Sequence, residues 1–211
     1  LLLDKGADPN VRITKRIGVG NPNVKDTTVT ILAARSGSSS QFERVMSNGG
    51  NPHETQQYMK RTLLHVIIAH AFVPERNQKL ALLLPYGPNL NYMSAMEETP
   101  MMAAVARGNL EAARMLIEAG ADPNIFKPRS PEKLIHFLAR ESQLRDDAWK
   151  NATRTDFDAV VSILEQNGDS LEAAIKDTQR WTEIGRSYPP KEIRRLMDEE
   201  ITRAKAGNSD P

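Results

Sequence analysis

Thr99-Pro100-Met101-Met102-Ala103-Ala104-Val105-Ala106-Arg107-Gly108, followed by Gly120-Ala121-Asp122-Pro123-Asn124, decides the fold. Threonine accepts a hydrogen bond well at a helix N-cap, and proline fits the first helical position, so a helix is expected to start here. A second apolar helical stretch, Ala112 to Ile117, runs into Gly120. Glycine there ends a helix cheaply in the left-handed conformation, and Asp122 and Pro123 suit the turn that leads away. The stretch therefore reads as helix, turn, helix and a second turn.

Both signatures recur. Gly6-Ala7-Asp8-Pro9-Asn10 is identical to the turn at Gly120, with weaker copies at Gly49-Gly50-Asn51-Pro52-His53 and Gly87-Pro88-Asn89-Leu90-Asn91. Each follows a short apolar helical stretch: Leu1 to Leu3, Phe42 to Met46 and Leu80 to Leu84. Further helix starts are Thr28-Val29-Thr30-Ile31-Leu32-Ala33-Ala34, Thr62-Leu63-Leu64-His65-Val66-Ile67-Ile68 and the degenerate Lys133-Leu134-Ile135-His136-Phe137-Leu138-Ala139. The starts lie 34, 37 and 34 residues apart. At these residues the chain resembles the ankyrin-repeat family, with its period of about 33 residues and its T-P-L-H signature. The resemblance covers residues 1–168, the first repeat being truncated, and implies an all-α solenoid of antiparallel helix pairs.

Residues 169–211 fall outside the pattern. They read as a helix from Leu171 to Ile184, a break at Tyr188-Pro189-Pro190, and a helix from Lys191 to Ala206 with Ile193, Leu196, Met197 and Ile201 on one face. Terminal units of a solenoid need a modified outer face, so this segment is expected to be a helical C-terminal cap. A composition of 39% apolar and 5% aromatic residues suits a thin layered core better than a thick one. The net charge of +1 argues against a nucleic-acid binder. The absence of cysteine removes disulfides, thiolate nucleophiles and cysteine-ligated zinc. No apolar run is long enough for a membrane span. The chain opens on what reads as the end of a helix, so upstream residues are expected. That leaves the compartment of a soluble chain, bacterial periplasm or cytoplasm, open.

Function should lie in departures from the regular repeat. Helix start to terminal glycine takes 21 residues in the first and third copies, but 25 from Thr62 to Gly87 and 35 from Lys133 to Gly168. The finger between glycine and next helix start is 22 residues from Gly6 to Thr28, against 12 from Gly87 to Thr99. Such insertions often mark a binding face. The long first finger carries Arg12, Lys15 and Arg16, suited to an acidic partner or simply to solvent. Its Gly18-Val19-Gly20 lacks the third glycine and the strand-to-helix context of a nucleotide loop. The other fingers hold Tyr58, Met59, Tyr92, Met93, Met96 and Phe126, residue types favoured at interfaces, although any one of them could instead tuck against the neighbouring repeat. The resemblance further implies a concave groove completed by the last turn of each inner helix, here Arg35-Ser36, Ala69-His70, Ala106-Arg107 and Arg140-Glu141. Arg35, Arg107 and Arg140 then form either an arginine ladder for partner carboxylates or a solvated face.

His65 and His136 occupy the fourth position of the T-P-L-H motif, where the family uses histidine to tie adjacent turns. His53 stands where the family has asparagine, and His70 falls on the groove. No histidine pair has metal-ligand spacing, no serine sits in a nucleophile elbow, and Asp146-Asp147 and Glu199-Glu200 are adjacent rather than facing. Catalysis, cofactors, metals and small-molecule substrates are not expected. The expected function is protein binding through Arg12, Arg16, Arg35, Tyr58, Tyr92, Met96, Arg107 and Arg140. By analogy with compact, irregular bacterial ankyrin proteins, the chain reads as an immunity protein that blocks a secreted toxin. The alternative is a targeting domain of a longer enzyme or secreted effector.

Overall fold

The computed structural model describes residues 5–13, 27–35, 38–69, 75–144 and 151–207. They form two compact units, Leu1–Ala121 and Asp122–Pro211.

The first unit is a stack of helical hairpins: α1 (Val29–Arg35) with α2 (Ser39–Ser47), α3 (Leu63–Ala69) with α4 (Arg76–Leu83), and α5 (Pro100–Ala106) with α6 (Leu110–Glu118). The inner helices α1, α3 and α5 pack in that order, as do the outer helices α2, α4 and α6. The expected helix starts are caps: Thr99 Oγ1 accepts from Met102 N at 3.2 Å, and Thr28 Oγ1 accepts from Ile31 N at 3.2 Å. Inner helices are enclosed nearly all round, which explains why α3 carries Leu63, Leu64, Val66, Ile67 and Ile68 with almost no polar face. Outer helices are two-sided: α6 buries Leu110, Ala112, Ala113 and Leu116 while Glu111 and Glu118 face solvent. The enclosed Lys79 on α4 donates to the carbonyl of Ala34 near the C-terminal end of α1, where a cation is favoured. Burial lowers its pKa.

The terminal glycines behave as their sequence context dictates. At Gly120 (φ 95°) the amide bonds to Ile117 O and the next amide, of Ala121, to Leu116 O, both at 3.0 Å. This reciprocal pair is the Schellman closure, and Gly49 and Gly168 repeat it. Beyond Gly6, Gly49, Gly87 and Gly120 comes a side-chain turn, in which Asp8, Asn51, Asn89 and Asp122 accept from the amide two residues on. A Cβ at Gly120 would meet no atom within 4 Å, so a substitution there costs backbone strain alone. Gly120→Val is expected to destabilise the protein by more than about 1 kcal/mol. A thermal melt superimposable on that of the wild type would contradict this.

The second unit contains α7 (Leu134–Leu144), α8 (Asn151–Gln166), α9 (Leu171–Ser187) and α10 (Pro190–Gly207). Helix α7 packs on α8 and, most extensively, on α9, and α10 packs on α9. The core joins Leu134, Ile135 and Leu138 to Phe157, Val160, Leu164, Ala174 and Ile184. The expected break falls at Tyr188, whose backbone is extended (φ −116°, ψ 150°). On α10, Ile193, Leu196, Met197 and Ile201 are half-buried, and the buried Glu200 is held by Arg180 at 2.7 Å and by Arg203.

Most of the excess length counted after Lys133 lies in longer helices, 11 residues in α7 and 16 in α8 against 7 in α5 and 9 in α6. The first finger beyond Ile13, with Lys15, Arg16 and Gly18 to Gly20, lies outside the described residues, as do Leu1 to Leu3, Ser36, His70 and Asp146-Asp147.

Candidate partner-binding surface

Each finger closes as a short hairpin at its root. In the first, Arg12 pairs with Thr28 and Ile13 with Thr27, antiparallel. In the second, Gln56 N donates to Arg61 O at 2.8 Å beside a Thr55–Thr62 bridge; in the third, Ser94 N donates to Glu98 O at 3.1 Å. The second and third fingers are joined by Ala95 N donating to Met59 O at 2.9 Å. Lys60 (φ 49°) and Glu97 (φ 58°) adopt left-handed backbone near the tips, a conformation disfavoured for side chains other than glycine and asparagine.

This ribbon fixes the sequence-predicted finger residues. Tyr58 projects at a tip, 91% exposed, and Met96 is 43% exposed. Tyr92 is half-buried and sets its edge against the His65 ring, centroids 6.4 Å apart and planes at 79°. Thus Tyr58 is free of the neighbouring repeat, whereas Tyr92 partly packs on it.

The arginines arrive differently. Arg12 is ion-paired with Glu54 across two fingers. Arg107 donates to Ala103 O at 2.9 Å and to Glu98 Oε2 at 3.4 Å. Arg140, in the second unit, is ion-paired with Glu132 and lies 4.9 Å over the Phe137 ring. Three arginines expected to await partner carboxylates therefore already have internal ones. Arg35 is half-exposed at the end of α1 and makes no ion pair among the described residues.

One residue escaped the sequence reading. Arg61 immediately precedes the helix start Thr62, the place that Glu98 and Glu132 hold before Thr99 and Lys133. Its Nη2 donates to Met96 Sδ at 3.0 Å, so Met96, Tyr92, Arg107 and Arg61 are gathered around Glu98 and His65. Burial, then the nearby Arg107, lower the Arg61 pKa, with Glu98 opposing. The signal available was a charge inversion at a fixed register position.

His65 behaves as the motif implies: its Nδ1 accepts from Thr62 N at 3.3 Å and lies 2.8 Å from Thr62 Oγ1, and its Nε2 lies 2.9 Å from Glu98 O in the next finger. Burial above all pushes its pKa down to about 4, and Arg61 and Arg107 push the same way. His136 repeats the inner bond, accepting from Lys133 N at 3.1 Å. Its Nε2, however, faces Asp177 of α9 at 3.8 Å, and the Trp181 ring lies tilted at 46° to the imidazole with centroids 4.8 Å apart. Burial lowers its pKa too, with Asp177 opposing.

Among the described residues, no group of three or more His, Asp or Glu could hold a metal ion, and no helix is long and apolar enough to cross a membrane. The family description "Ankyrin repeats (3 copies)" matches residues 30–127. No curated protein matches the chain. The matched residues hold the Thr62 and Thr99 helix starts, the left-handed Gly49, Gly87 and Gly120, and the linked second and third fingers; this segment, somewhat under half of the chain, is an array of ankyrin repeats, a protein–protein interaction module.

Proposed function

We propose that the chain is a dedicated inhibitor of one protein partner, of the kind an immunity protein is for a secreted toxin, and that it acts by binding rather than by catalysis. The observation that carries the binding surface is the ribbon of the second and third fingers. It presents Tyr58 almost fully exposed and Met96 partly exposed on hairpins joined to each other by the Ala95–Met59 bond. Exposed tyrosine on a pre-ordered backbone gives contact area at little entropic cost, and methionine adapts to the opposing shape. The inhibitor role is supported by the irregular repeat lengths, which depart from those of an open-ended scaffold. The division into repeats over 1–168 and a helical cap over 169–211 belongs to the same proposal. Its support is the closure at Gly168, which has the form of those at Gly49 and Gly120, and the seating of α9 against α7 much as α5 sits against α3.

Arg12, Arg107 and Arg140 meet a partner already neutralised, so their contribution is to share or exchange a carboxylate. Arg35 and Arg16 complete the set carried over from the sequence. The clean probe is Tyr58, which has little internal packing to lose. Tyr58→Ala is expected to speed dissociation of the captured partner roughly tenfold with little change in association. Arg194→Glu, on the exposed face of α10, should leave binding unchanged. The test is affinity capture from the host with mass-spectrometric identification, then binding kinetics of the variants. Loss of binding in Arg194→Glu with none in Tyr58→Ala would place the partner on the second unit. A captured enzyme that stays active when saturated with the chain would remove the inhibitor role and leave the binding role standing.

A further inference from the structure

Within the first unit the charges at the finger roots do not balance, and the imbalance has a definite location. In the third copy, the glutamate before the helix start (Glu98) holds the arginine at the end of the same inner helix (Arg107). The fourth copy, in the second unit, also pairs the glutamate with an arginine, Glu132 with Arg140, but Arg140 lies within α7 rather than at its end as the register predicts, because α7 runs on to Leu144. The second copy inverts the sign, with Arg61 at the glutamate position. Glu98 therefore lies near two guanidinium groups and, among the described residues, forms its ion pair with Arg107 and none with Arg61.

We propose that Arg61 and Arg107 form a seat for an aspartate or glutamate of the protein partner, and that this residue belongs to an acidic segment with an apolar side chain beside the carboxylate. The proposal rests on the protein-binding reading above and names the chemistry it selects. Arg61, half-buried, directs a side-chain hydrogen bond at a thioether, a weak acceptor, and makes no other among the described residues. A carboxylate is a far better partner for a guanidinium fork and can accept two parallel bonds from it. Met96, unbranched and 43% exposed, can rotate away from the fork and cover the incoming apolar group together with Tyr58. Arg107 engages Glu98 at a long 3.4 Å through Nη1 alone, which leaves donors on its fork for a second carboxylate. Behind burial, which is the larger cause, Arg107 disfavours the charge of Arg61, so the two guanidinium groups are close enough to share one carboxylate. A cationic or neutral segment gains nothing from this seat.

The test is selection of binders from a random peptide library on the immobilised full chain. The expected binders carry Asp or Glu next to an aromatic or aliphatic residue. Their affinity should fall roughly tenfold in Arg61→Gln, fall less in Arg61→Lys, and weaken as salt is raised. Arg61→Gln is the decisive variant, since Arg107→Gln would also strip Glu98 of its mate; thermal melts confirm that each variant folds. Absence of acidic enrichment overturns the proposal, as do acidic binders indifferent to Arg61→Gln. Peptides lost with Tyr58→Ala but untouched by Arg61→Gln overturn the seat while leaving the finger surface as the binding face. Peptides lost only with Arg194→Glu overturn both.

Discussion

Acidification from pH 7 to pH 4 is expected to cost the folded protein about 3 kcal/mol through His65 alone. The imidazole is held neutral for a structural reason. Its Nδ1 accepts from the Thr62 amide, so Nε2 carries the proton that reaches Glu98 O in the next finger. Protonating Nδ1 would oppose an N–H to an N–H in a buried site, close to Arg61 and Arg107. The pKa consequently falls from 6.5 to about 4. Between those values the unfolded chain binds a proton that the folded chain refuses. The stabilisation is therefore complete above about 6.5, shrinks as pH falls through this window, and levels off below about 4. Other groups change protonation over the same span, so the measurement is a difference: urea midpoints of the wild type and His65→Asn at several pH values. The variant should be less stable at pH 7, having lost buried hydrogen bonds, and the gap should narrow or reverse towards pH 4. A gap independent of pH, or a His65 imidazole titrating near 6.5 by NMR, would show that the tie is not buried as described.

The fold was legible because each repeat needs unusual residues at fixed places. A threonine cap, a left-handed glycine and an Asp or Asn turn each satisfy backbone groups that few other side chains can. Their recurrence therefore locates helix ends to within a residue, as Thr28, Thr62 and Thr99 show. Excess length was harder to read. The residues added after Lys133 resemble a loop insertion when only spacing is counted, yet most extend α7 and α8. Phe157, Val160, Val161 and Leu164, all buried at helical spacing, carried that information.

The site was legible in position more than in chemistry. Register put Arg35 and Arg107 at the ends of their inner helices, where the structure has them. What register along one helix cannot show is the mate. Glu98 and Glu132 sit nine and eight residues before their arginines, on fingers rather than on the same helix, and Glu54 is 42 residues from Arg12. Pairing of helix neighbours three or four residues apart misses all three. Tyr58 and Tyr92 looked equivalent in sequence. Only the fold separates a tip residue from one lying on His65.

The largest loss of stability is expected from Phe42→Ala, about 3–5 kcal/mol. Phe42 is fully enclosed on α2, which packs on α1 and on α4. Removing the ring leaves a cavity between rigid helices that cannot close without breaking the caps at Ser38 and Thr28. A folded domain is stable by only about 5–15 kcal/mol in total, so the loss is a large share. Its effect is also local, because units of a repeat array contact only their neighbours. The hairpin of α1 and α2 should open first, with hydrogen exchange rising in its amides while those of α5 and α6 stay protected. Urea unfolding, followed by exchange, should split into two steps. A single uniform transition, or a loss below about 1 kcal/mol, would contradict the layered core. The same variant separates stability from binding. The second and third fingers are anchored on α3 and α5, so under conditions where only α1 and α2 have opened the Tyr58–Met96 surface should still engage its partner.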